Sequence, residues 1–146
     1  MTLYLDTSSL VKLYVAEPDS GAVRRLVDQA TVVATSGIAH PEARAALARR
    51  RRERALSPAA YRTATRAFED DWSRYLAVDV SAAICRNAGS LAERYRLRGY
   101  DSVHLASYLE IVRRAGVAGT RFSSFDERLN RAALAAVRAM VRAGRR

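Results

Sequence analysis

A chain of 146 residues with 49% apolar content is long enough to fold as one domain, residues 1–146, around a real core. No apolar stretch approaches the roughly 20 residues that span a bilayer, and the start lacks the features of a signal peptide, so the cytoplasm is the simplest location. The net charge of +10, with Lys12 the single lysine among arginines, favours a polyanionic partner, while a single cysteine excludes a disulfide framework and a Cys-rich zinc site.

The first element is Thr2–Asp6, a short apolar run that stops at an acid and reads as a buried strand. Ser9–Val15 reads as a helix with an apolar stripe at Leu10, Leu13 and Tyr14. Asp6 is a favoured N-cap for that helix, yet Thr7 or Ser8 could cap it without placing a charge at the end of a core strand. Ser20–Gln29 is helical, and Thr31–Thr35 is the second strand. Ile38–Ala55 is a helix rich in Ala and Arg. Its arginine run Arg49, Arg50, Arg51 and Arg52 reads equally as a solvated face near a helix C-terminus or as a patch for nucleic acid.

Pro58–Trp72 starts with Ser57 and Pro58, the expected N-cap and N1 pair. Its Tyr61, Phe68 and Trp72 are read as core or dimer packing. Tyr75–Val80 is the third strand, and Ala82–Leu97 a helix ending near Gly99, with Cys85 expected to fill core space beside Ile84. Asp101–Ala115 is helical, Thr120–Phe125 is the fourth strand, and Glu127–Ala139 is helical after Asp126. Ala136–Arg146 is arginine-rich and reads as further helix or a last short strand. Strands alternating with helices predict an α/β fold with a mainly parallel sheet of about four or five strands.

Four acids fall where this architecture makes them notable. Asp6 and Asp126 follow the first and fourth strands. In an open parallel sheet the strand C-termini share one edge, and ligand sites form there. Glu42 lies in the first turns of its helix, on the Ile38, Glu42, Ala45 stripe that should face the sheet. Asp101 opens a helix that leads into the fourth strand, so it too starts at that edge. Its simplest reading taken alone is an N-cap. Four carboxylates at one edge repel one another unless cations screen them or protons are shared, and hard divalent cations such as Mg2+ are bound by such clusters. His40 and His104 are read as structural histidines rather than ligands. There is no Gly-rich phosphate loop and no Gly-x-Ser-x-Gly elbow. The DTSSL stretch also lacks the second Asp of a HAD-type phosphatase.

These residues resemble a known family. Asp6 in LYLDTSSLVKLY, Glu42 in HPEARAAL, Asp101 in GYDSVHLA and Asp126 in FSSFDERL look like the four acidic motifs of PIN-domain ribonucleases. The likeness is greatest to the VapC toxins of bacterial toxin–antitoxin pairs, and it runs from Thr2 to about Ala133. It implies a three-layer α/β/α sandwich and Mg2+- or Mn2+-dependent hydrolysis of RNA. It also implies restraint by a small VapB-type antitoxin and a tendency to form a homodimer. On this reading Asp6 and Asp101 hold the principal cation, and Glu42 and Asp126 complete the site. Thr7, Ser8 and Ser124 are candidates to orient carboxylates or waters from behind. A PIN nuclease of RNA maturation and a non-catalytic RNA-binding PIN domain are the alternatives.

Overall fold

A computed structural model of the chain describes residues 1–145. Four strands form one parallel sheet: β1 (Thr2–Leu5), β2 (Val32–Ser36), β3 (Leu76–Val78) and β4 (Thr120–Ser123), in the order β3-β2-β1-β4. Seven helices surround it: α1 (Thr7–Leu10), which runs on as a 3-10 turn over Val11–Leu13, α2 (Ser20–Gln29), α3 (Ala39–Arg52), α4 (Pro58–Trp72), α5 (Ala82–Tyr95), α6 (Gly99–Ala115) and α7 (Glu127–Ala143).

The period-2 alternation of β1 divides the interior into two cores. Leu3 and Leu5 face one side, where Leu10, Val11, Val23, Ala43, Leu47 and Phe68 pack. Tyr4 faces the other, against Leu105, Tyr108, Leu109, Val112, Leu129 and Ala133 of α6 and α7. Both faces of the sheet are therefore covered, as an all-parallel sheet requires, and the three-layer α/β/α sandwich expected from the sequence is present. Tyr61 and Trp72 pack on the side of Leu3 and Leu5 around the fully buried Phe68, so these aromatics are core, as expected.

Two expectations are corrected, and one reading left open is resolved. The first helix begins at Thr7 rather than Ser9, because Asp6 caps it. The segment after Ala136 continues as helix to Ala143, and no fifth strand forms among the described residues; Arg146 lies outside them. The reason is legible in α7. Leu129, Ala132, Ala133 and Ala136 recur at helical spacing and are buried, with Val137 and Met140 packed beside them. Cys85 is exposed, not a core filler. On α5 the buried stripe runs through Ile84 and Ala88, and the next residue after Ile84 is turned about 100° away.

Strand order reverses between β1 and β4, since the chain builds outward from β1 to β2 and β3 and then crosses to β4. This is the topological switch point at which a crevice opens beyond the strand C-termini. Asp6 follows β1 there, and Ser124, Phe125 and Asp126 follow β4.

Candidate active site

Asp6 sits at the junction of β1 and α1 and is only 5% exposed. Its Oδ1 accepts the Ser9 N–H at 3.0 Å and the Ser8 hydroxyl at 2.7 Å, and its Oδ2 accepts the Ser124 hydroxyl at 2.6 Å. Burial pushes its carboxyl above the ordinary value, and the three donors only partly pull it back. Capping and an active role are thus not alternatives at this position. The cap uses one oxygen, while a cap alone would have no need of a buried charge.

The β4 side is joined to Asp6 through two hydroxyls. Ser124 Oγ donates to Asp6 and accepts the Asp126 N–H at 3.0 Å. Ser8 Oγ donates to Asp6 and accepts the Phe125 N–H at 2.9 Å. Asp126 is itself the N-cap of α7, its Oδ1 accepting the N–H groups of Arg128 and Leu129 at 2.8 and 3.2 Å.

Glu42 stands in the first turn of α3, half-buried. Its Oε1 accepts the Thr7 hydroxyl at 2.7 Å and His104 Nε2 at 2.7 Å. Burial raises its carboxyl, but the donors His104 and Thr7 outweigh that and leave it below the usual range. Asp101 lies in the first turn of α6 but does not cap it; the N-cap is Arg98, and Asp101 is left available. Arg98 Nε donates to Asp101 Oδ2 at 2.9 Å, and its Nη2 lies 3.8 Å from Asp126 Oδ2.

Contacts and chain adjacency connect the four acids at this edge. Thr7 joins the Asp6 corner to Glu42, Ser124 joins Asp6 to Asp126, and Arg98 joins Asp126 to Asp101. In this packing no three of the described His, Cys, Asp and Glu side chains form a group able to hold a metal ion. A guanidinium holds two of the acids and hydroxyls hold a third. The donor set still fits a hard divalent cation, because it is carboxylate and hydroxyl oxygen throughout. The Arg98 side chain that pairs with Asp101 and Asp126 is 77% exposed.

The arginine run is not brought to this edge. Its four members form the last turn of α3, about 10–15 Å along the helix from Glu42 by its rise per residue. Part of its charge is compensated locally. Arg49 pairs with Glu53 at 2.8 Å, Arg50 with Glu17, and Arg51 lies over the Tyr61 ring at 5.1 Å. The Arg50 hydrogen bond holds the half-buried Glu17 carboxyl below its ordinary value. A lowered carboxyl contributes stability above its unfolded value, near pH 4.3, and loses it as pH falls through the folded one. Glu17→Gln is accordingly expected to flatten the acid limb of the stability curve below about pH 5, as read by urea unfolding from pH 3 to 7. An unchanged acid limb would remove Glu17 from that role.

The family model described as the PIN domain matches residues 3–134. The chain belongs to the PIN-domain family. Among curated relatives of this PIN domain, Ribonuclease VapC45 and Ribonuclease VapC49 of Mycobacterium tuberculosis are each 37% identical over 134 residues, covering 92% of this chain and 90% of theirs. Ribonuclease VapC46 of the same organism is 33% identical over 131 residues, covering 90% and 89%. In three dimensions the PIN domain resembles the crystal structure of Mycobacterium tuberculosis VapC20, described as a sarcin-ricin loop cleaving toxin. The TM-score is 0.62 at 21% identity, over 85% of this chain and 91% of that one.

Two residues of the site are not foreseen by the sequence. Arg98 precedes its helix, where nothing in a lone sequence ties an arginine to an acid 28 residues further on. His104 reads as structural from sequence, yet it donates to Glu42. The signal available is its spacing, since Asp101 and His104 are three apart and so share one side of α6. His40 does behave as a structural histidine, pairing with Glu69 at 3.1 Å and packing on Phe68 and Trp72.

Proposed function

We propose that this PIN domain is a divalent-cation-dependent endoribonuclease, the toxin of a VapBC-type pair. The observation that carries the reading is the placement of Asp6 and Asp126 just beyond the C-terminal ends of β1 and β4, with Asp101 tied to Asp126 through Arg98 and Glu42 tied to Thr7, the residue after Asp6. The 37% identity to two VapC ribonucleases supports it over nine-tenths of the chain.

Asp6 and Asp101 would hold the principal Mg2+ or Mn2+, with Glu42 and Asp126 completing its surroundings directly or through water. When bound, the cation supplies Lewis-acid stabilisation of charge on the phosphate and lowers the pKa of an adjacent water. The protein side of the reaction is positioning. Ser8 and Ser124 fix both oxygens of Asp6, and Thr7 fixes one oxygen of Glu42. Water adds to phosphorus, the P–O bond to the leaving oxygen breaks, and that oxygen takes a proton. Arg98, once displaced from Asp101, has the length and the planar donor fork to engage a phosphate of the RNA. The direct test is cleavage of a defined RNA with Mg2+, with Mn2+ and with EDTA. Full cleavage in EDTA would refute the cation requirement.

A basic chain around an acidic pocket suits an RNA substrate. The exposed end of the arginine run, Arg51 and Arg52, is proposed as an RNA contact outside the cleavage site. Arg49 and Arg50, expected beside them, are paired with Glu53 and Glu17. Reversing Arg51 and Arg52 to Glu should weaken RNA binding and lower the log–log salt slope by roughly 0.7 for each phosphate that is no longer neutralised. Titrations in 50–200 mM salt read this, and an unchanged slope would leave the run as a solvated helix face. The partner is proposed to be a small VapB-type antitoxin. The working form is proposed to be a homodimer in the cytoplasm; no helix among the described residues is long and apolar enough to cross a membrane.

A further inference from the structure

We infer that His104 is a positioning residue for Glu42, driven from behind by the Tyr4 phenol. Tyr4 is wholly buried and its ring is fixed. It stacks on Phe122 with centroids 5.7 Å apart and meets the His104 ring edge-on at 6.1 Å. Its phenol lies 2.9 Å from His104 Nδ1. Glu42 Oε1 is a carboxylate oxygen and can only accept, so its 2.7 Å contact calls for the imidazole hydrogen on Nε2. Nδ1 of the neutral ring then accepts from the Tyr4 phenol. That N–H faces Glu42 Oε1 at 2.7 Å and Thr7 Oγ1 at 3.1 Å.

The result is a directed relay from the core to the site: Tyr4 O–H to Nδ1, Nε2–H to Glu42 Oε1. With Thr7 on the same oxygen, Oε1 is saturated and Oε2 is the oxygen left for a cation or its water. A histidine serving only as core filler would satisfy its nitrogens inside the core. This one is 2% exposed and spends its donor on a carboxylate at the sheet edge. It also ties α6, which carries Asp101, to α3, which carries Glu42, so two acids from different helices are held at a set separation. A metal ligand oriented by a hydrogen bond from behind gains 10–100-fold in affinity or activity from that partner.

This inference rests on the cation-dependent ribonuclease reading, and the experiment separates the two. Mn2+ binding is measured by calorimetry without RNA for the wild type, His104→Leu, His104→Gln and Tyr4→Phe, with urea unfolding alongside. His104→Leu should stay folded and bind Mn2+ about 10–100-fold more weakly. His104→Gln keeps an N–H near the Nε2 position and should recover most of the loss. Tyr4→Phe retains the ring packing and should weaken binding by a smaller factor, which keeps the inference open to test if His104→Leu does not fold. Nitrogen NMR of the metal-free wild type should find the His104 hydrogen on Nε2. A wild type that binds no Mn2+ and cleaves no RNA overturns the ribonuclease reading and this inference with it. If the wild type does both and His104→Leu matches it, or Gln rescues nothing, or the hydrogen lies on Nδ1, this inference alone falls.

Discussion

Asp6→Asn should abolish Mg2+-dependent RNA cleavage and leave the metal-free fold at least as stable as the wild type. The two halves of this expectation have separate causes. Asn keeps an oxygen to accept the Ser9 N–H, so the start of α1 remains capped. What disappears is the charge. Burial raises the Asp6 carboxyl, so its favourable contribution belongs to the neutral form and is lost as pH rises through that raised value. At neutral pH the wild type bears the cost, and the amide does not. For the same reason the loss of a cation ligand should be severe. Even a residue one step removed from a metal changes affinity or activity by 10–100-fold, so the direct ligand should cost more than about 100-fold. A plain N-cap would behave otherwise. Asp6→Ala would then cost about 1 kcal/mol, with activity retained. Thermal melts in EDTA and cleavage rates in Mg2+, on the same preparations, separate the two. An active Asp6→Asn with an unchanged Mg2+ response would remove Asp6 from the site.

The second large effect concerns the antitoxin. Arg98 sets a guanidinium between Asp101 and Asp126. An antitoxin tail carrying Arg or Lys would take the same carboxylates, Arg with the advantage of a bidentate fork. Binding to the folded state alone stabilises by about 2.7 kcal/mol at a hundred times the dissociation constant. For a chain of this size that corresponds to roughly 5–10 °C in Tm. Mg2+ at constant ionic strength should weaken the complex, because both ligands seek the same oxygens. Calorimetry with any small protein encoded next to this chain, at low and raised Mg2+, is the measurement. If the neighbour does not bind, and expression of this chain alone leaves growth and cellular RNA intact, the toxin role gives way to a nuclease of RNA maturation.

Much of this is legible in the sequence because it depends on local rules. Ser57 before Pro58 marks the start of α4 where the structure has it. The unbroken apolar run Leu3, Tyr4, Leu5 declares a strand buried on both faces. Acids shortly after β1 and β4 are placed at one edge because the two strands run parallel. What is not legible depends on distance along the chain. Arg98 meets Asp126 only because α6 starts beside the turn that follows β4. The phenol of Tyr4 finds His104 across 100 positions. The arginine run is only half legible for a related reason. A cluster of like charge in sequence says nothing about which members are neutralised by Glu17 and Glu53 on folding. Cys85 fails by a smaller margin, one residue on a helix, enough to turn it from the core to solvent.

Asp6 is the single residue between β1 and α1, and only Ser124, Phe125 and Asp126 separate β4 from α7. Neither acid is carried on a long loop, and the short β4 turn is itself pinned to Asp6 and Ser8. The separation of the two acids is therefore dictated by the hydrogen-bond ladder that pairs Leu5 with Ser123, and a slip of one position would move one acid by about 3.3 Å relative to the other. The pocket thus inherits the stiffness of the sheet itself. On warming, the spacing of Asp6 and Asp126 should hold as long as the β1–β4 pairing does. Length changes are best absorbed elsewhere, in the turns around residues 53–57 and 116–119.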